Sequence, residues 1–187
     1  MSKIFILSGP SGVWKTTIRE EFKRKYPNSN IEKIITTTTR PKRDYEIDWK
    51  DYYFVSLNDF ENLIKNNKLI EYAEVHNNFY GSTYDELNRI LNSWKNALYI
   101  VDPQGVKFLK QILGDKYEVK TIFILPPSEE ELKKRLLKRW EDPNSENFKV
   151  RLNESLLWLA EKDFYDYNIV NEDIQKAVEE FRKIVES

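Results

Sequence analysis

Cysteine is absent from this 187-residue chain, which excludes disulfides and thiolate metal sites and fits a reducing compartment. A single histidine, His76, argues against any His-based triad and reads as a bystander. Charge of one sign is not in excess: the net charge is −1 with 33% charged residues. The basic surplus that a broad nucleic-acid footprint needs is therefore missing. No long hydrophobic run occurs; the N-terminal one ends at Gly9, a strand's length, so it is neither signal peptide nor membrane span. Linkers, repeats and low-complexity tracts are lacking too. Glycine is scarce, five residues against five tryptophans. What remains is one compact domain, large enough to bury a real core, with a cytoplasmic enzyme as the default expectation.

The most informative stretch comes first. Lys3 to Ser8 is a short apolar strand that runs into Gly9-Pro10-Ser11-Gly12-Val13-Trp14-Lys15-Thr16-Thr17 and then into a helical pattern. A phosphate-binding loop needs this order: a buried strand to anchor the turn, free backbone N–H groups, then a helix N-terminus. Lys15 is placed to reach the β- and γ-phosphates, and the Thr16 hydroxyl to sit on Mg²⁺. The regular spacing is Gly, four residues, Gly, Lys, then Ser or Thr. It is met everywhere except at Trp14, which stands in place of the second glycine.

Beyond the loop, Ile18 to Tyr26 continues the helix, and Ile31 to Thr37 is β-branched and strand-like. Thr38 to Tyr53 is polar and aromatic; Ser56 caps a helix over 57–66. Residues 69–75 and 78–80 predict a strand pair, and Thr83-Tyr84-Asp85-Glu86 opens a helix by the capping-box pattern. Strands then alternate with helices: 97–101, 104–112, 119–125, 129–139, 148–162, 167–170 and 174–185, with a polar loop at 141–145. The expected fold is α/β, a parallel sheet flanked by helices, interrupted by a small, mostly antiparallel insertion. A site belongs at the carboxyl ends of the strands, where Gly9 and Asp102 fall.

Several clusters carry chemistry but admit plainer readings. Arg40 and Arg43, three apart after a strand, suit a phosphate dianion or form a solvated basic turn. Tyr52, Tyr80 and Ser82 offer hydroxyls to the same anion or to a base. Glu71 and Glu74 either accept from a base's N–H edge or are edge-strand charges. Arg135 and Arg139, one helical turn apart, with Arg151 beyond the polar loop, either neutralise a transferring phosphoryl group or lie on a solvated face.

Taken together, the ordered blocks resemble the guanylate kinases over nearly the whole chain. The blocks are Gly9 to Gly12 with Lys15; Thr38-Thr39-Arg40 with Arg43, Glu46, Tyr52 and Phe54; Glu71 to His76 with Tyr80-Gly81-Ser82; and Asp102-Pro103-Gln104-Gly105. Ile122 to Ser128, Lys134-Arg135-Leu136 and Val170-Asn171 match further on. The resemblance implies a P-loop kinase core (1–33, 88–130 and 154–187), a GMP-binding region (34–87) and a helical lid (131–153). It implies Mg²⁺- and ATP-dependent phosphorylation of GMP, and of dGMP, to GDP. Gly9 to Thr17 and Asn171 would bind ATP; Arg40, Arg43, Tyr52 and Tyr80 the GMP phosphate; Thr36, Glu71, Ser82 and Asp102 the guanine. Lys15, Arg40, Arg135, Arg139 and Arg151 would serve catalysis, and Thr16 the metal. ATP and GMP are the expected partners, with no nucleic acid and no membrane. Two other readings fit the same scaffold: a non-enzymatic binding module, and a kinase for another small phosphate acceptor.

The departures from this pattern share a feature. Trp14, Trp49, Trp94 and Trp140 all stand where the resembled family tends to carry glycine, as do Tyr45 and Asn77. UGA codons read as glycine by the source, but rendered as tryptophan, would give this distribution; Trp158, in a helix, need not share it.

Overall fold

The computed structural model describes residues 2–75, 77–140, 142–143 and 145–187, without the side chains of Val75, Arg139, Trp140 and Asn147. His76, and Glu141 and Asn144 of the expected polar loop, lie outside the described residues.

In chain order the elements are β1 (Ile4–Ser8), α1 (Lys15–Lys25), β2 (Ile31–Lys33), β3 (Thr37–Thr38), β4 (Tyr53–Phe54), α2 (Leu57–Lys65), β5 (Leu69–Val75) and β6 (Asn78–Thr83). They continue as α3 (Tyr84–Asn92), β7 (Asn96–Ile100), α4 (Pro103–Leu113), β8 (Val119–Leu125), α5 (Glu129–Trp140), α6 (Glu146–Leu159), β9 (Tyr167–Val170) and α7 (Ile174–Glu186). Five strands pair in parallel in the order β2-β7-β1-β8-β9, and four form a second sheet, β4-β3-β6-β5. The expected α/β class is borne out.

The central strand shows why both faces carry helices. β1 is buried throughout, and its side chains alternate between two cores. Phe5 and Leu7 join Ile18, Phe22 and Phe181 of α1 and α7, whereas Ile4 and Ile6 join Leu87, Ile90 and Leu109 of α3 and α4. Period-two alternation thus feeds two apolar layers, each large side chain contributing roughly 1.5–3 kcal/mol on burial. Because β7 and β8 flank β1 on opposite sides, the strand order switches sides there, and the loop after β1 opens into the crevice.

Two expectations need correction. Residues 31–37 are not one strand: β2 pairs with β7, while β3 pairs with β4 and β6. The break delivers the chain from one sheet to the other, with Ile34 N–H bonded to Leu98 O and Tyr53 N–H to Thr36 O. The inserted sheet is mostly antiparallel, as expected, with β3 and β4 its one parallel pair among the described residues. The capping box of α3 is only half made. Thr83 Oγ1 accepts from Glu86 N–H at 3.1 Å, but the buried Glu86 carboxylate accepts from Ile35 N–H (3.0 Å), Tyr53 OH (2.8 Å) and Arg89. Glu86 thereby ties the inserted sheet to the core.

Candidate active site

The phosphate loop forms as its residue types require. Gly9 has φ +143°, and a Cβ there would lie 2.5 Å from Ile124 O, so no side chain fits. Val13 is buried, and its carbonyl accepts from Asn171 Nδ2 at 3.0 Å. Lys15 Nζ donates to Gly9 O (2.7 Å) and Pro10 O (2.9 Å), curling over the loop. Ser11, Gly12, Lys15, Thr16 and Thr17 line one cavity of about 470 Å³ with Trp14, Arg135 and Lys138. Arg135 donates to Glu131 (2.9 Å) and to Asn171 O (3.2 Å). Asn171, expected beside adenine, is buried and holds the loop to α5 through these bonds.

The second cleft, about 390 Å³, is lined by Thr36, Tyr52, Glu71, Tyr80 and Asp102, with Tyr72, Gly81 and Phe108 among their neighbours. Sheet pairing brings Glu71 opposite Ser82, whose side chain is buried. Asp102 caps α4, accepting from Gly105 N–H at 2.8 Å. Burial pushes the Glu71 carboxyl above the usual carboxylate range, helped by the Asp102 charge and opposed by hydrogen bonds from Ser82. Tyr52 and Tyr80 meet edge to face at 6.1 Å. Gly81 is required for packing here, because a Cβ would stand 2.7 Å from Glu71 O.

Arg40 grips Glu46 with both terminal guanidinium nitrogens, at 2.7 and 3.0 Å, and its guanidinium carbon lies 5.4 Å from the Tyr52 ring centroid. Glu46 also accepts from Arg43 N–H at 2.8 Å, while the Arg43 guanidinium bonds Tyr45 OH. The Arg40 hydrogen bonds hold the Glu46 carboxyl down at about 2. A lowered folded-state pKa means that this pair stabilises fully above the ordinary carboxylate range and is lost as pH falls towards about 2. Sequence reading assigned Glu46 no role, although its spacing from Arg40 was visible. We expect Glu46→Gln to weaken the binding of a phosphate-bearing ligand beside Arg40 and Tyr52 about tenfold, because a charged partner aims Arg40; unchanged binding would count against this.

The arginines after β8 are only partly convergent. Arg135 lines the loop cavity. The Arg139 side chain lies outside the described residues. Arg151 is on α6 with Glu154 at 3.9 Å, and it does not line that cavity.

Trp14 interrupts this frame. It caps α1 with φ 64° and ψ 36° and no side-chain cap, a left-handed backbone costing roughly 1–2 kcal/mol for a residue with a Cβ. Its indole stacks against Arg135, 4.3 Å from guanidinium carbon to ring centroid. Trp49 and Trp94 share the left-handed backbone, at φ 69° and 61°, as does Asn77 at 59°; Tyr45 does not, and Trp140 ends α5 with helical backbone.

This sequence and this α/β scaffold both have known relatives. The guanylate kinase family model matches residues 1–187. A guanylate kinase of Francisella tularensis is 40% identical over 98% of this chain and 95% of its own length. That of Mycoplasmoides gallisepticum is 37% identical over 97% and 91% respectively. The crystal structure of guanylate kinase from Anaplasma phagocytophilum superposes with a TM-score of 0.72 at 33% identity, covering 99% of this chain and 85% of that one. With the whole chain matched in sequence and architecture, it belongs to the guanylate kinase family of nucleotide-binding phosphotransferases.

Proposed function

We propose that the protein transfers the γ-phosphoryl group of ATP to GMP, and to dGMP, giving GDP or dGDP in purine nucleotide metabolism of the cytoplasm. The observation that carries this is the continuity of the two sites. A third cavity, about 290 Å³, runs between them and is lined by Thr16 of the loop and by Thr36, Glu46 and Tyr52 of the acceptor side. Among the described residues no helix is long and apolar enough to cross a membrane.

Each group has a role in this reading. Backbone N–H groups from Gly9 to Thr17 and the Lys15 ammonium hold the β- and γ-phosphates; Arg40, Arg43, Tyr52 and Tyr80 hold the acceptor phosphate. Glu71, Ser82, Thr36 and Asp102 recognise guanine, Glu71 accepting from its N1 and N2 edge. Arg135, Arg139 and Arg151 neutralise the transferring group. Catalysis of this kind is positioning and charge stabilisation, with no general base needed. The exposed Thr16 hydroxyl fits Mg²⁺, an ion that takes few protein ligands and completes its shell from phosphate and water. When bound, Mg²⁺ supplies charge neutralisation on the β- and γ-oxygens.

With Mg-ATP, the protein should phosphorylate GMP and neglect AMP and UMP; indifference to the base would remove Glu71 from the account. Glu71→Gln is expected to lower kcat/KM for GMP about 10- to 100-fold, the worth of a hydrogen bond to a charged acceptor. Folding disfavours the charged form of a carboxyl whose pKa it raises; that contribution is favourable at low pH and lost as pH rises through the raised value. Glu71→Gln should therefore leave stability at neutral pH unchanged or higher. GMP affinity should fall as pH drops through the Glu71 pKa. One observation favours a second reading, a binding module: the Trp14 indole lines the phosphate-loop cavity. GMP binding without any ATP affinity would support it.

A further inference from the structure

Three of the five tryptophans have a left-handed backbone, and a different local rule asks for glycine at each. At the end of α3, Trp94 N–H donates to Leu91 O (3.0 Å) and Lys95 N–H to Ile90 O (3.4 Å), the paired bonds of a Schellman ending. Helix α2 ends in the same way on Asn67, whose N–H donates to Ile64 O while Lys68 N–H donates to Leu63 O. Asparagine tolerates the left-handed region; an indole-bearing residue has no such compensation. Trp49 is the third residue of a turn closed by Lys50 N–H to Ile47 O at 3.3 Å, where positive φ calls for glycine. Trp14 is the helix cap that meets phosphate, where a Cβ hinders approach.

Burial offers no recompense, since the three are 48%, 73% and 83% exposed, whereas Trp158 packs against the core. With a few per cent of non-glycine residues in this region, three of five tryptophans by chance is on the order of a few in ten thousand. The two remaining non-glycine residues of positive φ among those described are both asparagines. We infer that the source organism inserts glycine at positions 14, 49 and 94, from UGA codons that a different reading of the code turns into tryptophan. The scarcity of glycine follows from the same substitution.

Mass spectrometry of the protein isolated from its source cells tests this without reference to activity. Peptides covering positions 14, 49 and 94 should each carry the glycine mass, and the peptide covering 158 the tryptophan mass. Tryptophan at any of the three, or UGG codons there, overturns the inference. As a second measure, the Trp14→Gly, Trp49→Gly, Trp94→Gly protein should melt several degrees higher than the chain with tryptophans; an equal or lower Tm contradicts the backbone argument.

A different observation concerns Lys33, at the end of β2. Its Nζ lies 5.8 Å from the Tyr52 ring centroid, so Lys33 and Arg40 are two cations on one ring. Lys33 makes no hydrogen bond or ion pair among the described residues; Asp51 and Glu20 act on it only at longer range. Arg19, whose buried Nε also lacks a partner, adds repulsion, and burial lowers the Lys33 pKa. Both line the cavity between Thr16 and Tyr52. Resting on the GMP-kinase reading, the geometry points to Lys33 as a further ligand of the acceptor phosphate.

In the protein with glycine at position 14, Lys33→Met should weaken GMP binding about tenfold, as for a lost charge-assisted bond, and leave guanosine binding unchanged. Lys33→Arg should restore most of the affinity. Equal losses for GMP and guanosine, or no loss, overturn the assignment. Failure of the parent protein to bind GMP at all would instead sink the GMP-kinase reading.

Discussion

With glycine at position 14, kcat/KM for ATP is expected to rise about a thousandfold over the protein carrying tryptophan there, because two phosphate contacts are regained. The first is the backbone N–H at the start of α1, which a β-carbon and an indole hinder from meeting an oxygen. The second is Arg135, whose guanidinium is stacked 4.3 Å from the indole centroid. A single such contact, formed in a site that excludes water, is typically worth a hundred- to a thousandfold; hindering two of them without deleting either sets the expected effect. The change also relieves left-handed strain of roughly 1–2 kcal/mol, partly offset by the backbone entropy of glycine. Steady-state kinetics of both proteins, with ATP varied at saturating GMP, decides the matter. Equal rates would mean that the loop accommodates the indole.

Lys15→Met in the same glycine-14 protein is expected to lower kcat by about a thousandfold while GMP affinity stays unchanged. Lys15 Nζ now spends its protons on Gly9 O and Pro10 O, within the loop. Those carbonyls are exchangeable partners: phosphate oxygens present a stronger, charged acceptor at the same place. A methionine keeps the stem and loses the charge, so the effect should fall on the transfer step. Single-turnover measurement separates it from product release, and isothermal titration with GMP checks that the acceptor cleft is intact. A variant that keeps most of its single-turnover rate would remove Lys15 from the transfer step.

Much of the architecture was legible because it is locally encoded. The unbroken apolar run from Ile4 to Leu7 predicts a buried strand, and Gly9 to Thr17 predicts a loop opening a helix. Ser56 and Thr83 announce helix starts, and each accepts the expected backbone N–H. The continuous strand over 31–37 was misread because β-branched residues suit either sheet; which sheet takes them depends on partners far along the chain. Glu86 was read as half of a capping box for the same reason, since nothing local shows that Ile35, Tyr53 and Arg89 compete for its oxygens.

By itself, the order of residue types determined the fold class, the phosphate loop and which side chains to weigh as candidates, because backbone sterics and side-chain period act over a few residues. Tertiary structure alone decided which of them meet. Glu71 faces Ser82 through strand register, Arg40 is aimed by Glu46, and Lys33 and Arg40 converge on Tyr52. It also decided that residues 14, 49 and 94 lie in the left-handed region. Such choices depend on burial and on competition for hydrogen bonds between distant segments, which exist only once the chain has closed on itself.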